Sequence, residues 1–114
     1  MVKIIKTPIS KNELKEWVHP TFVSLVKAVI DVELEIMAVG GELHADEEAL
    51  LLERGSKQEN LWGINIYHNK PRHEWVEFDS MINIRPRQNN RSRNVEDENI
   101  KIKITSIIDK LIRE

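Results

Sequence analysis

The sequence predicts an α+β domain of two layers: a mainly antiparallel four-stranded meander with two helices on one face, in the order β-α-β-β-β-β-α. Three observations predict it. Val76, Phe78, Ile82 and Ile84 share one parity while Glu77, Asp79, Asn83 and Arg85 share the other, the period-two pattern of a strand with one buried and one wet face. Ser10 and Glu13 spell the capping box S-x-x-E that opens a helix. Ile100, Ile104, Ile107, Ile108, Leu111 and Ile112 recur at helical spacing in the last segment.

Taken in order, Val2–Lys6 is a short apolar run suited to an edge strand. The helix opened by Ser10 carries Leu14, Trp17 and Val18 on one face and breaks at Pro20, with one more turn over Phe22–Leu25. Val26–Val39 reads as one strand, because alternation puts Asp31, Glu33 and Glu35 on one side and Ile30, Val32, Leu34 and Ile36 on the other. Gly40-Gly41 then serves as a two-residue hairpin loop. In that register Ala38 opposes Leu43, Ile36 opposes Ala45, and Ile30 opposes Leu51. A competing reading makes the second half a helix, with Asp46 as N-cap, Glu47 and Glu48 in the first turn and Gly55 just past the end. Strand or helix over Glu47–Glu53 stays open at this point.

Glu53–Asn60 is a polar turn, and Leu61–Tyr67 is a strand with Trp62, Ile64 and Ile66 on one side. His68–Glu74 is a loop. The next strand, Trp75–Arg85, ends at Pro86, which has no N–H to donate to a ladder. Asn94 or Asp97 caps the last helix, the acids Glu96, Asp97 and Glu98 suit its positive end, and only Ile102 points away from its apolar stripe.

A chain of 114 residues bounds a single domain, 1–114, large enough for a core without staples. Net charge is −2, so affinity for nucleic acid requires a local patch. The absence of cysteine excludes disulfides, thiolate metal sites and a cysteine nucleophile. No apolar leader and no run of membrane length occurs, which makes the cytoplasm the default location and a membrane partner unexpected.

Two surfaces are candidates for function. The loop Arg85–Arg93 carries Arg85, Arg87, Arg91 and Arg93 with no acid among them, and Asn90 adds an amide donor. Guanidinium forks suit phosphate and carboxylate. Such a loop predicts an acidic protein surface or a second copy of the chain as partner, with at most weak, sequence-independent nucleic-acid binding. The hairpin register also sets Glu35 against Asp46 and Glu33 against Glu48 on the wet face, with His44 nearby. Opposed like charges destabilise a sheet, and a divalent cation would offset that. No phosphate loop, dinucleotide fingerprint or nucleophile elbow is present, so no other cofactor is implied.

The runs MAVGGELHADEEALLLERGSKQENLWGINIY and FDSMINIRPRQNNRSR resemble those of a family of small, uncharacterised bacterial and archaeal single-domain proteins, over nearly the whole chain. The resemblance implies no activity, cofactor or catalytic residue. From the residues, function is unknown. The reading favoured is a non-enzymatic binding or interaction module that uses the Arg85–Arg93 loop. The alternative is a metal-assisted hydrolase or metal-binding protein on the acidic hairpin face, with Glu33, Glu35, His44, Asp46 and Glu48 as candidate ligands.

Overall fold

In a computed structural model, which describes residues 1–22 and 24–114, the centre of the fold is a hairpin of β3 (Val26–Asp31) and β4 (Ile36–Val39). Val29 opposes Ala38 and Ile30 opposes Met37. Val26–Val39 is therefore β structure, but it folds back on itself over Val32–Glu35. The Asp31 side chain makes that reversal: Oδ1 accepts from the backbone N–H of Glu33 and Leu34, both at 2.9 Å, and Oδ2 accepts from Ser56 Oγ at 2.7 Å. Glu35 closes it in the left-handed region, at φ +56°. Val32–Glu35 contains no glycine, proline or asparagine, so the only turn signal in the sequence is Asp31 itself, which alternation assigns to a strand face.

β5 (Leu61–Ile66) pairs antiparallel with β3, β1 (Lys3–Ile5) with β4, and β6 (Val76–Glu77) with β5. The order β1-β4-β3-β5-β6 is an all-antiparallel five-stranded sheet in an α+β domain. Two short strands, β2 (Ile9–Ser10) and β7 (Ile112–Arg113), pair parallel in a separate ribbon.

One face of the sheet presents Ala28, Ile30, Met37, Val39, Trp62, Ile64 and Ile66 to the main core. α1 (Lys11–Lys15) and α3 (Glu98–Leu111) cover this face, as the sequence predicts, with Leu14, Ile104, Ile107, Ile108 and Leu111 inward. The capping box forms, with Ser10 Oγ accepting from Glu13 N at 3.1 Å. Asp97, not Asn94, caps α3, accepting from Asn99 N and Ile100 N. The turn expected over Phe22–Leu25 includes Val23, which lies outside the described residues.

The other face carries a smaller cluster of Val29, Ala38 and Leu61. It is covered by α2 (His44–Glu53), whose Leu51 completes that cluster. Here the expectation of a strand over Glu42–Leu51 is corrected: the competing helix is the one that forms, and it adds a layer on the second face. The segment HADEEALLLE is made almost wholly of strong helix formers. Gly55, at φ +103°, ends it in a Schellman motif, with Gly55 N donating to Leu52 O and Ser56 N to Leu51 O. Gly40-Gly41 accordingly leads into a helix and does not close a hairpin.

The strand expected over Trp75–Arg85 is reduced to Val76–Glu77. Beyond it the chain runs through 3-10 turns at Met81–Asn83 and Pro86–Gln88 beside the open edge of β5. Side chains replace the ladder there. Asn83 Oδ1 accepts from Gly63 N at 2.8 Å and Asn83 Nδ2 donates to Gly63 O at 2.9 Å. Arg85 Nη1 donates to Gln58 O, and Gln88 Nε2 to Glu59 O at 3.0 Å. An edge that would otherwise be open to another chain is thereby closed.

Candidate functional site

The second face of the sheet is only partly apolar. Lys27 and Asn65 oppose each other on β3 and β5. The first turn of α2 sets His44 above them, and the Asp79–Arg93 segment closes the far side. Lys27, His44, Asn65, Asp79, Ser80 and Arg93 form the polar lining of a cleft of about 280 Å³. Leu43, Ala45, Met81 and Ile82 form its apolar wall.

His44 is 7% exposed, and its Nε2 lies 2.7 Å from Ile64 O. A carbonyl only accepts, so Nε2 carries the hydrogen and Nδ1 is a bare acceptor, with no partner among the described residues. Burial pushes the imidazole pKa down to about 4, assisted by Lys27 and Arg93 against the opposing Ile64 hydrogen bond and Asp79, so the ring is neutral at physiological pH. Its approach depends on Gly63. A Cβ there would stand 2.6 Å from both Cβ and Oγ of Ser80 and 3.2 Å from His44 Cδ2.

Asn65 is 8% exposed and its orientation is fixed: Nδ2 donates to Glu77 Oε1 at 2.8 Å and to Asp79 O at 3.4 Å, both of which only accept. Its Oδ1 is left buried without a donor among the described residues. Arg93 Nε is 2.6 Å from Asp79 Oδ1, while Nη1 and Nη2 have no hydrogen-bond partner among the described residues. Lys27 enters no ion pair among the described residues, and its Nζ lies 4.9 Å from the centre of the Phe22 ring. α2 has no side-chain cap at this end, so its first N–H groups add positive potential at the cleft.

One turn below His44, Glu47 is fully buried. Its Oε2 accepts from Gly41 N at 2.9 Å, and Oε1 has no partner among the described residues. Burial raises its pKa to about 9, against the opposing Gly41 hydrogen bond and Lys27, so this acid is protonated at neutral pH.

The residues expected to bind an anion are dispersed. Arg85 is half-buried over the Trp62 ring, 4.2 Å from its centre. Asn90 is buried as a strut: Nδ2 donates to Asn83 O and Asn94 O, both at 2.7 Å, and Oδ1 accepts from Glu96 N. Arg93 faces the cleft. Arg87 and Arg91 are exposed. The backbone N–H groups of Arg91 and Ser92 are already taken, since Glu96 Oε2 accepts from both at 2.9 Å and from Ser92 Oγ at 2.8 Å. The Ser92 hydroxyl, with the two backbone bonds, holds the Glu96 carboxyl below its usual range.

The metal candidates do not converge. Glu33 is exposed in the β3–β4 turn, where Glu35 bonds Lys103 at 3.0 Å and Lys110 at 3.2 Å on the α3 side. Asp46 and Glu48 lie on α2, across the sheet, and His44 points into the cleft instead. Among the described residues no group of three or more His, Asp or Glu side chains is placed to hold a metal. The acidic face existed only in the hairpin register, and the helix removes it. Sequence reasoning missed Lys27, Asn65, Asp79 and Ser80. Lys27 and Asn65, polar residues interrupting otherwise apolar strands, were the signal that could have found them.

A family model described as a protein of unknown function (DUF5674) matches residues 3–111, and the chain belongs to that family. No curated protein and no solved structure matches it.

Proposed function

We propose that this family member is a binding module that takes up a small anionic molecule in the cleft between α2 and the Asp79–Arg93 segment. The observation that carries the reading is Lys27, an ammonium rising from a central strand into a cleft and forming no ion pair among the described residues. The unused Nη atoms of Arg93 and the uncapped start of α2 reinforce it, and neutral His44 and protonated Glu47 add no competing negative charge. Titrating the isotope-labelled protein with inorganic phosphate and with acetate, followed by NMR, tests it. Shifts confined to Lys27, His44, Ala45 and Arg93, and abolished by Lys27→Met, are expected. No shift at these positions at tens of millimolar anion overturns it.

Exposed Arg87 and Arg91 support a second reading, in which this edge of the domain meets an acidic protein surface or a second copy of the chain. Arg87→Glu with Arg91→Glu then lowers self-association in sedimentation at low salt. A wild type that is monomeric there and retains no acidic partner removes it. A cytoplasmic location belongs to the same proposal: a cysteine-free chain has no disulfide requiring an oxidising compartment, and no helix of the described residues is long and apolar enough to cross a membrane. Cell fractionation checks this.

A further inference from the structure

The cleft offers more than positive charge. Among the described residues two acceptors there lack donors, the buried Asn65 Oδ1 and His44 Nδ1, on residues more than nine-tenths buried. It also holds a carboxylate, Asp79, of which only Oδ1 is engaged by Arg93. A plain anion would satisfy Lys27 and Arg93 but leave these acceptors without a donor, at a cost in affinity. A ligand that brings its own donors beside its negative group satisfies both sets. The remaining wall, Leu43, Ala45, Met81 and Ile82, is apolar. At about 280 Å³ the cleft sits near the bottom of the roughly 300–1,000 Å³ range of small-molecule sites, so the ligand is small.

We infer that the cleft is built for a free α-amino acid with an apolar side chain. Its carboxylate meets Lys27, the Nη atoms of Arg93 and the N-terminus of α2. Its ammonium meets Asp79, Asn65 Oδ1 and His44 Nδ1. Its side chain lies against Leu43, Met81 and Ile82. A phosphoryl group fits less well, because it carries at most one donor of its own and its charge is repelled by Asp79. This inference rests on the anion-binding reading above and narrows it to a zwitterion.

Calorimetry and NMR with three probes of the same carbon skeleton test it: L-leucine, 4-methylpentanoate, which lacks the amine, and isoamylamine, which lacks the carboxylate. Leucine is expected to bind roughly tenfold or more tightly than either truncated probe, the penalty for an acceptor or cation left unpaired. Asp79→Asn, a change at a partly exposed position, is expected to erase the preference of leucine over 4-methylpentanoate without weakening the latter. If 4-methylpentanoate binds as tightly as leucine, the amino-acid inference is overturned while the anion cleft stands. If phosphate or acetate shifts Lys27 and Arg93 but leucine does not, the amino-acid inference is overturned in the same way. If no anion of any kind binds, both readings fall together.

Discussion

Asn83 pairs with Gly63 as a strand would: one carboxamide supplies both the acceptor and the donor that the β5 edge requires, at 2.8 and 2.9 Å. The same Nδ2 also reaches Arg93 O at 3.0 Å, so this side chain ties the sheet edge to the segment that carries Arg93 into the cleft. Asn83→Ala leaves the Gly63 groups buried and unpaired, and is expected to cost on the order of 3 kcal/mol in urea denaturation. Asn83→Asp keeps the acceptor but turns a carboxylate towards two carbonyls. It should be at least as destabilising at pH 7 and recover part of the loss in acid, where the carboxyl regains a donor.

Gly63 is constrained from the other side. Adding a Cβ puts it 2.6 Å from Ser80 Cβ and Oγ, so Gly63→Ala must push the Ser80 segment away from the sheet. A loss of roughly 1–3 kcal/mol is expected. Because Ser80 and His44 both line the cleft, the same substitution should weaken ligand binding in NMR titration while Gly55→Ala, whose Cβ meets nothing within 4 Å, should not.

Glu47 and His44 give the stability an asymmetric pH profile. Glu47 goes from 4.5 unfolded to about 9 folded, so the native state holds an extra proton between those values and loses stability as pH rises through them. His44 goes from 6.5 to about 4, so the unfolded state holds the extra proton there and stability falls as pH drops through that window. The two slopes oppose each other between 4.5 and 6.5, and above 6.5 Glu47 acts alone, at up to about 1.4 kcal/mol per pH unit. Glu47→Gln mimics the protonated acid. Thermal melts should show it more stable than wild type at pH 8, with the alkaline decline abolished and the His44 decline below pH 6.5 no longer offset.

Arg72 fastens the end of α3. Its guanidinium lies 4.1 Å from the centre of the Trp75 ring, and Nη2 donates to Ile112 O at 2.8 Å, a carbonyl at the C-terminus of the helix. Lysine has neither the planar face nor the fork. Arg72→Lys is therefore expected to cost about 1–2 kcal/mol by denaturant titration.

How far these features were legible follows from what each side chain does. α3 was readable because its apolar stripe and its Asp97 cap both obey helical spacing. α2 was obscured because the residues it turns inward include His44 and Glu47, so its buried face does not look apolar. The acids of its first turn and Gly55 were the truer signs. The strand expected through Ile82 and Ile84 had the right alternation, but Asn83, Arg85 and Gln88 pair with β5 and its approach through side chains and leave no ladder for alternation to report. Arg85 and Asn90 read as ligand contacts because arginine and asparagine have the same donors whether they face a partner or their own backbone. Which of the two they face is decided by tertiary packing.

The ribbon joining β2 to β7 bears on how the chain is made. Ile9 and Ser10 find their partners in Ile112 and Arg113, roughly a hundred positions downstream, and loop closure over that span is entropically unfavourable until other contacts have shortened it. On a ribosome, Ile9 and Ser10 emerge well before Ile112 and Arg113, so this ribbon forms only once α3 has been synthesised. The central hairpin, whose strands are separated by only four residues, is available much sooner. Vectorial synthesis thus favours an assembly order that starts at the central hairpin, with the β2–β7 ribbon joined late.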